Sequence, residues 1–207
     1  MTGQVKLDSY ADTGVFAAVD LVNELAVRLP DDPTAALRQV LAVDPPSLAQ
    51  LVPADVPGFT ALAADLHTIF QLVGAGDVAS AAALLNHMLT TFPSQPHLAL
   101  EDGVWRLHHH PVDAELVPMW TAICAEALAR LIGNGQGHRM GICERPGCGR
   151  VFVDVSKNAS RAFCSTACQN RVKAAAFRAR AQVVASHSSN VGPASVASGP
   201  GSSPPSS

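Results

Sequence analysis

The stretch that decides the fold runs from Cys143 to Arg180: CERPGCGRVFVDVSKNASRAFCSTACQNRVKAAAFRAR. Four of the chain's five cysteines fall here, within 26 consecutive residues. They form two close pairs, Cys143 with Cys148 and Cys164 with Cys168. Thiolates are soft, strong ligands, and four of them close a tetrahedral structural site around Zn²⁺. Pro146 and Gly147 permit a tight turn that aims the first two sulfurs at one point. The second pair spans one helical turn, so both side chains lie on one face at a helix start. Between the pairs, VFVDV is β-branched and aromatic, KNAS is turn-forming and RAF follows, which predicts a short hairpin. Knuckle, hairpin and helix around one metal predict a treble-clef-like finger with four cysteine ligands. So short a stretch cannot bury a core without help, and metal ligation then supplies folding energy.

Three features of this stretch go beyond metal binding. C-x4-C, VFVDVSKN and C-x3-C-x-N-R with trailing basic residues resemble the CGNR-type zinc finger, named for a Cys-Gly-Asn-Arg tetrad. The tetrad here is Cys168-Gln169-Asn170-Arg171, with Gln169 in the glycine position. Asp154 and Ser156 match its D-x-S segment. The resemblance implies a DNA-binding module of a bacterial transcription regulator. Within the first helix, AVDLVNEL (residues 18–25) resembles the D-F-x-N opening of the ABATE domain, the usual N-terminal partner of this finger. Asp20 and Asn23 are the matching positions, whereas Glu24 departs from the threonine expected there. The combination resembles a family of stress-induced transcription regulators. On physical grounds Asp20 and Asn23 share a helix face, as a structural polar pair or as an effector contact.

Charge is distributed unevenly. The net charge is −3, yet residues 139–180 hold nine Lys/Arg against two acids. A basic end on an acidic body calls for an anionic partner at that end. The helix expected from about Ser165 turns Cys168, Val172, Ala175, Ala176 and Ala179 toward the metal and hairpin. Arg171 and Arg178 lie on one flank and Lys173 and Arg180 on the other, with Phe177 between. Asn170 and Arg171 occupy the first turn, where recognition helices present base contacts. Lys157 and Arg161 in the hairpin turn are expected phosphate contacts. DNA is therefore the expected partner. The alternative is a zinc-stapled protein–protein adaptor whose basic helix docks on an acidic surface.

The rest of the chain reads as helical. Periodicity and punctuation predict helices over 14–29, 34–43, 47–51, 60–73, 78–91 and 113–132. Residues 1–13 read as irregular. HLALEDGVWRLH alternates around Asp102-Gly103, suited to a type I′ turn, and predicts a hairpin over 97–109. The fold class is therefore mainly α: a helical sensor domain over 1–137 with one hairpin, the finger over 138–185, and a disordered tail over 186–207. Of the last 22 residues, 16 are Ser, Gly or Pro, too polar to offset ordering entropy.

Several function classes are excluded or disfavoured. A zinc site closed by four cysteines leaves the ion no open position for catalysis, and no nucleophile elbow, phosphate loop or dinucleotide fingerprint occurs. The chain is not read as an enzyme. No apolar run approaches 18 residues, so no membrane span is expected. An unpaired cysteine and no visible secretory signal point to a reducing, cytoplasmic setting. Cys124 reads as a buried small hydrophobe. His108, His109 and His110 could be considered for a second metal, but neighbouring strand residues face opposite ways. His138 competes weakly as a finger ligand. A small-molecule or protein effector at the helical domain and a homodimer complete the expected partners.

Overall fold

The computed structural model describes residues 9–101 and 103–188. Among them the chain is mostly helical with two small antiparallel sheets. Helix α1 (Ser9–Leu21) continues without a break into a π-helical turn, Val22–Val27. Then come α2 (Pro33–Leu41), α3 (Pro45–Gln50), α4 (Val56–Gly74) and α5 (Val78–Thr91). Strands β1 (Pro96–Glu101) and β2 (Val104–His109) form the first hairpin. Helix α6 (Leu116–Gly133), strands β3 (Met140–Ile142) and β4 (Val151–Val153), and helix α7 (Thr166–Ser188) complete the chain.

Local chemistry sets the helix starts. The side chains of Asp32, Asp44 and Asp77 accept from the N–H groups of Ala35, Ser47 and Ser80, capping α2, α3 and α5. Pro33 and Pro45 occupy first-turn positions, where a missing N–H costs nothing. The same rule moves the start of α4. Pro57 reads as a helix breaker in the sequence, but it sits in the first turn, so the helix begins at Val56 rather than Thr60. Likewise residues 9–13, inside the segment expected to be irregular over 1–13, are helical in α1. A polar first turn carries no periodicity, while packing of the following residues extends the helix back. The expected turn at Asp102 lies partly outside the described residues, as does the expected tail over 186–207. Residues 186–188 end α7 as helix.

One core holds these elements together. Phe59, Leu66, Ile69 and Phe70 of α4, Trp120 and Leu128 of α6, and Leu21 and Val22 of the first helix are buried. Trp120 donates its indole N–H to Ser47 Oγ at 3.0 Å, satisfying the polar atoms of both. Met140, Val151 and Val153 belong to the same core. The β3–β4 hairpin is thus seated on the helices, chiefly on α4 and α1. By length and composition alone, Pro53–Gly74 and Leu116–Gly133 are apolar enough to cross a membrane. No continuous apolar run signals this, because alanines and threonines carry part of each window. Here both helices contribute their apolar faces to the core.

The second hairpin differs from the expected one. VFV pairs with MGI at 140–142, ahead of the first cysteine, and not with RAF at 161–163. The register places Gly141 opposite Phe152, and a Cβ at Gly141 would stand 2.5 Å from the Phe152 ring. Any side chain at 141 would force the Phe152 ring to move.

Candidate metal centre and basic helix

The β3–β4 hairpin carries the first two cysteines at its tip. Cys143 N–H donates to Arg150 O at 2.8 Å, and Cys148 N–H to Arg145 O at 3.0 Å. Gly147 closes this knuckle with φ +70, in the left-handed region that favours glycine. After β4 the chain makes a loop stapled by Asp154, which is 3% exposed. Its carboxylate accepts from Ser156 N–H at 2.8 Å and Arg161 N–H at 2.7 Å. Arg139 completes the staple, donating to the carbonyls of Asp154 at 2.9 Å and Ser156 at 2.7 Å. Burial alone would push the Asp154 carboxyl up, but these donors and the Arg139 charge outweigh it and hold it below the usual range. Ser165 then caps α7: its Oγ accepts from Cys168 N–H at 3.2 Å, which fixes Cys168 in the first turn.

The four sulfurs converge. All four lie within 4.8 Å of one another. Cys148 Sγ is 3.7 Å from Cys164 Sγ and 3.8 Å from Cys168 Sγ, and the last two are 3.5 Å apart. A tetrahedral zinc with Zn–S bonds of about 2.3 Å requires sulfurs about 3.8 Å apart. The cluster fits that ion, and it is too far open for a disulfide, whose sulfurs stand about 2.05 Å apart. Arg145, which sequence reasoning missed, donates its Nε–H to Cys168 Sγ at 3.3 Å. The Ser165 hydroxyl first, and Arg145 after it, bring the Cys168 thiol down to about 6. Burial first, and the neighbouring thiols after it, push Cys164 up to about 12. A divalent cation removes that disparity by holding all four as thiolates. His138 stays outside the cluster, with its Nδ1 on Gly135 O at 3.0 Å.

The remaining cysteine and the N-terminal polar pair take structural places. Cys124 is fully buried, and burial pushes its thiol up to about 12. Asn23 is 4% exposed. Its amide donates to Val151 O at 3.0 Å and accepts from Val151 N–H at 2.9 Å. It pairs with β4 as a neighbouring strand residue would. The next residue, Glu24, accepts from Arg150 Nη2 at 2.7 Å. Consecutive residues of the π turn thus grip consecutive residues of the hairpin. Asp20 is exposed one turn earlier, within reach of the charges of Glu24 and Arg150. No sequence signal links Asn23 to Val151 across 128 positions.

The candidate nucleic-acid residues divide into two groups. Arg161 donates to the carbonyls of Phe163, at 2.8 Å, and Cys164, and its guanidinium lies 5.0 Å from the Phe152 ring centre. It braces the loop before α7. Lys157, Asn170, Arg171, Lys173, Arg178 and Arg180 are all exposed. The expected metal-facing side of α7 holds only at its start. Cys168 is buried and Val172 half-buried, but Ala175, Ala176 and Ala179 are exposed. After two turns the helix runs past the small hairpin, which is too short to cover it, and its residues 173–182 are exposed on every side.

Geometry and donor set define a zinc-binding module with four cysteine ligands and a projecting basic helix. Residues 139–181 match the CGNR zinc finger family. No curated protein matches the chain.

Proposed function

We propose that the chain is a DNA-binding transcription regulator whose finger presents α7 to the duplex. The observation that carries this reading is α7 itself: a helix fixed at one end by the cysteine cluster and exposed beyond it, with Arg171, Lys173, Arg178 and Arg180 along its length. A helix of this width fits the major groove, and basic side chains on both flanks reach phosphates on either side. Asn170 and Arg171 stand in the first turn, where base edges would be met, and Lys157 adds a phosphate contact from the loop. Arg139, Arg145, Arg150 and Arg161 serve the fold instead, so the usable charge is concentrated on α7. The helical part, with its ABATE-like opening, is the sensing part of a stress-induced regulator in this reading. Its grip on β4 through Asn23 gives an effector a mechanical route to the finger. The protein is cytoplasmic and has no catalytic role in this reading.

One observation favours a protein partner instead: Phe177 is 68% exposed in the middle of the basic helix. An adaptor would bury it against an acidic, partly apolar surface. Binding to duplex DNA over a salt series separates the two. Counterion release gives log K falling steeply and linearly with log salt. A flat dependence, or no binding to any duplex at low salt, would overturn the DNA reading.

A further inference from the structure

The hairpin β1–β2 brings together three histidines that the sequence scatters. His97 and His108 are register partners across the two strands. His110 lies two residues beyond His108, in the bend just past the end of β2. His109, between them, faces the other way and meets Glu126 Oε1 at 3.1 Å. The alternation that argues against adjacent histidines 108–110 as a site therefore selects another set: 97, 108 and 110.

Their rings form one cluster. The three pairs of ring centres are 5.3 Å (His97–His108), 5.4 Å (His97–His110) and 5.3 Å (His108–His110) apart. His108 Nδ1 stands 3.3 Å from His110 Nε2. Two imidazole nitrogens bound to one tetrahedral ion at about 2.0–2.1 Å are about 3.3 Å apart. The other nitrogen of His110, Nδ1, is 2.8 Å from Pro111 O. A carbonyl accepts only, so Nδ1 carries the proton and Nε2 presents its lone pair toward His108. His97 repeats the arrangement, with Nδ1 3.3 Å from Gln95 O, leaving Nε2 as its lone-pair nitrogen. Backbone carbonyls that fix the tautomer in this way are the usual outer partners of metal-binding histidines.

We propose that His97, His108 and His110 form a second metal site, separate from the cysteine cluster, for a borderline divalent ion such as Ni²⁺, Cu²⁺ or Zn²⁺. His108 and His110 are spaced for the ion already, and His97, on the opposite strand, joins them once its ring turns away from Gln95 O. Imidazole nitrogens suit these ions, whereas Mg²⁺ and Ca²⁺ take oxygen. A bound ion would cross-link β1 to β2 at the base of the hairpin. The site does not depend on the DNA-binding reading.

The test uses the full-length protein with zinc in its finger and Ni²⁺ as the probe. Calorimetric titration and metal analysis after gel filtration should give one Ni²⁺ per chain with the zinc content unchanged. His110→Gln and His97→Gln should each weaken Ni²⁺ binding about tenfold or more, while His109→Gln leaves it unchanged. Zinc content and melting temperature of each variant report whether it is folded, and either ligand variant alone suffices. Uptake of Ni²⁺ only in exchange for zinc would overturn the proposal. So would loss of binding in His109→Gln equal to that in His110→Gln, which would mark a loose histidine tract.

Discussion

Asn23 ties the first helix to the finger through a single buried side chain. Its amide supplies two hydrogen bonds to Val151, which is buried at the start of a three-residue strand. Removing it leaves a buried N–H and a buried C=O unpaired, each costing about 1–3 kcal/mol. Asn23→Ala should therefore destabilise the protein by about 2–4 kcal/mol in urea unfolding, with faster amide exchange at Val151. An effect below about 0.5 kcal/mol would mean that water replaces the amide without loss. Asp154 is the second such residue. Its carboxyl is held below the usual range by the Ser156 and Arg161 N–H groups and Arg139, so the sign follows directly. The staple contributes fully above the unfolded carboxylate value, near 3.9, and is lost as pH falls through the lower folded value. Asp154→Ala should lower stability at pH 7 and flatten its dependence on pH below about 4. Acid titration followed by fluorescence of wild type and variant measures both.

Among the elements, α7 is anchored at one end only. Ser165 caps it and Cys168 ties its first turn to the cluster, but residues 173–182 are exposed. Beyond that anchor α7 has little of the tertiary packing from which helices in proteins draw most of their stability. If α7 follows DNA, Arg178→Ala and Arg180→Ala should weaken binding to every duplex and reduce the salt slope by about one unit each. Arg171→Ala should cost about 1–3 kcal/mol on a specific site and little on random DNA. Titration of the three variants against both duplexes decides between phosphate and base contacts. Unchanged slopes throughout would favour the adaptor. The first turn also holds Gln169, which is no metal ligand, so Gln169→Gly should keep the zinc content at one per chain, checked by metal analysis.

At the scale of the molecule, the finger is divided between two supports. Its β3–β4 hairpin is seated on the helical core and gripped by Asn23 and Glu24, and the loop after it is stapled by Asp154 and Arg139, whereas the start of α7 is tied in through the cysteine cluster. Chelation should therefore release α7 while leaving β3 and β4 protected. Hydrogen exchange before and after zinc removal would check this, and uniform loss of protection over 139–188 would contradict it. The sequence alone determined the parts whose physics is local. Cysteine spacing implied the metal centre, because four thiolates in two tight pairs suit few other purposes. Asp77 and Ser165 marked helix starts, and helical periodicity located the main core helices. The hairpin β1–β2 was legible from strand alternation around a turn. Tertiary structure decided what depends on distant partners. It joined VFV to MGI rather than RAF, with Gly141 set opposite Phe152. It seated Asn23 against Val151 and Glu24 against Arg150. None of these pairings leaves a local pattern, since each is fixed by how separate elements pack and not by the chain between them.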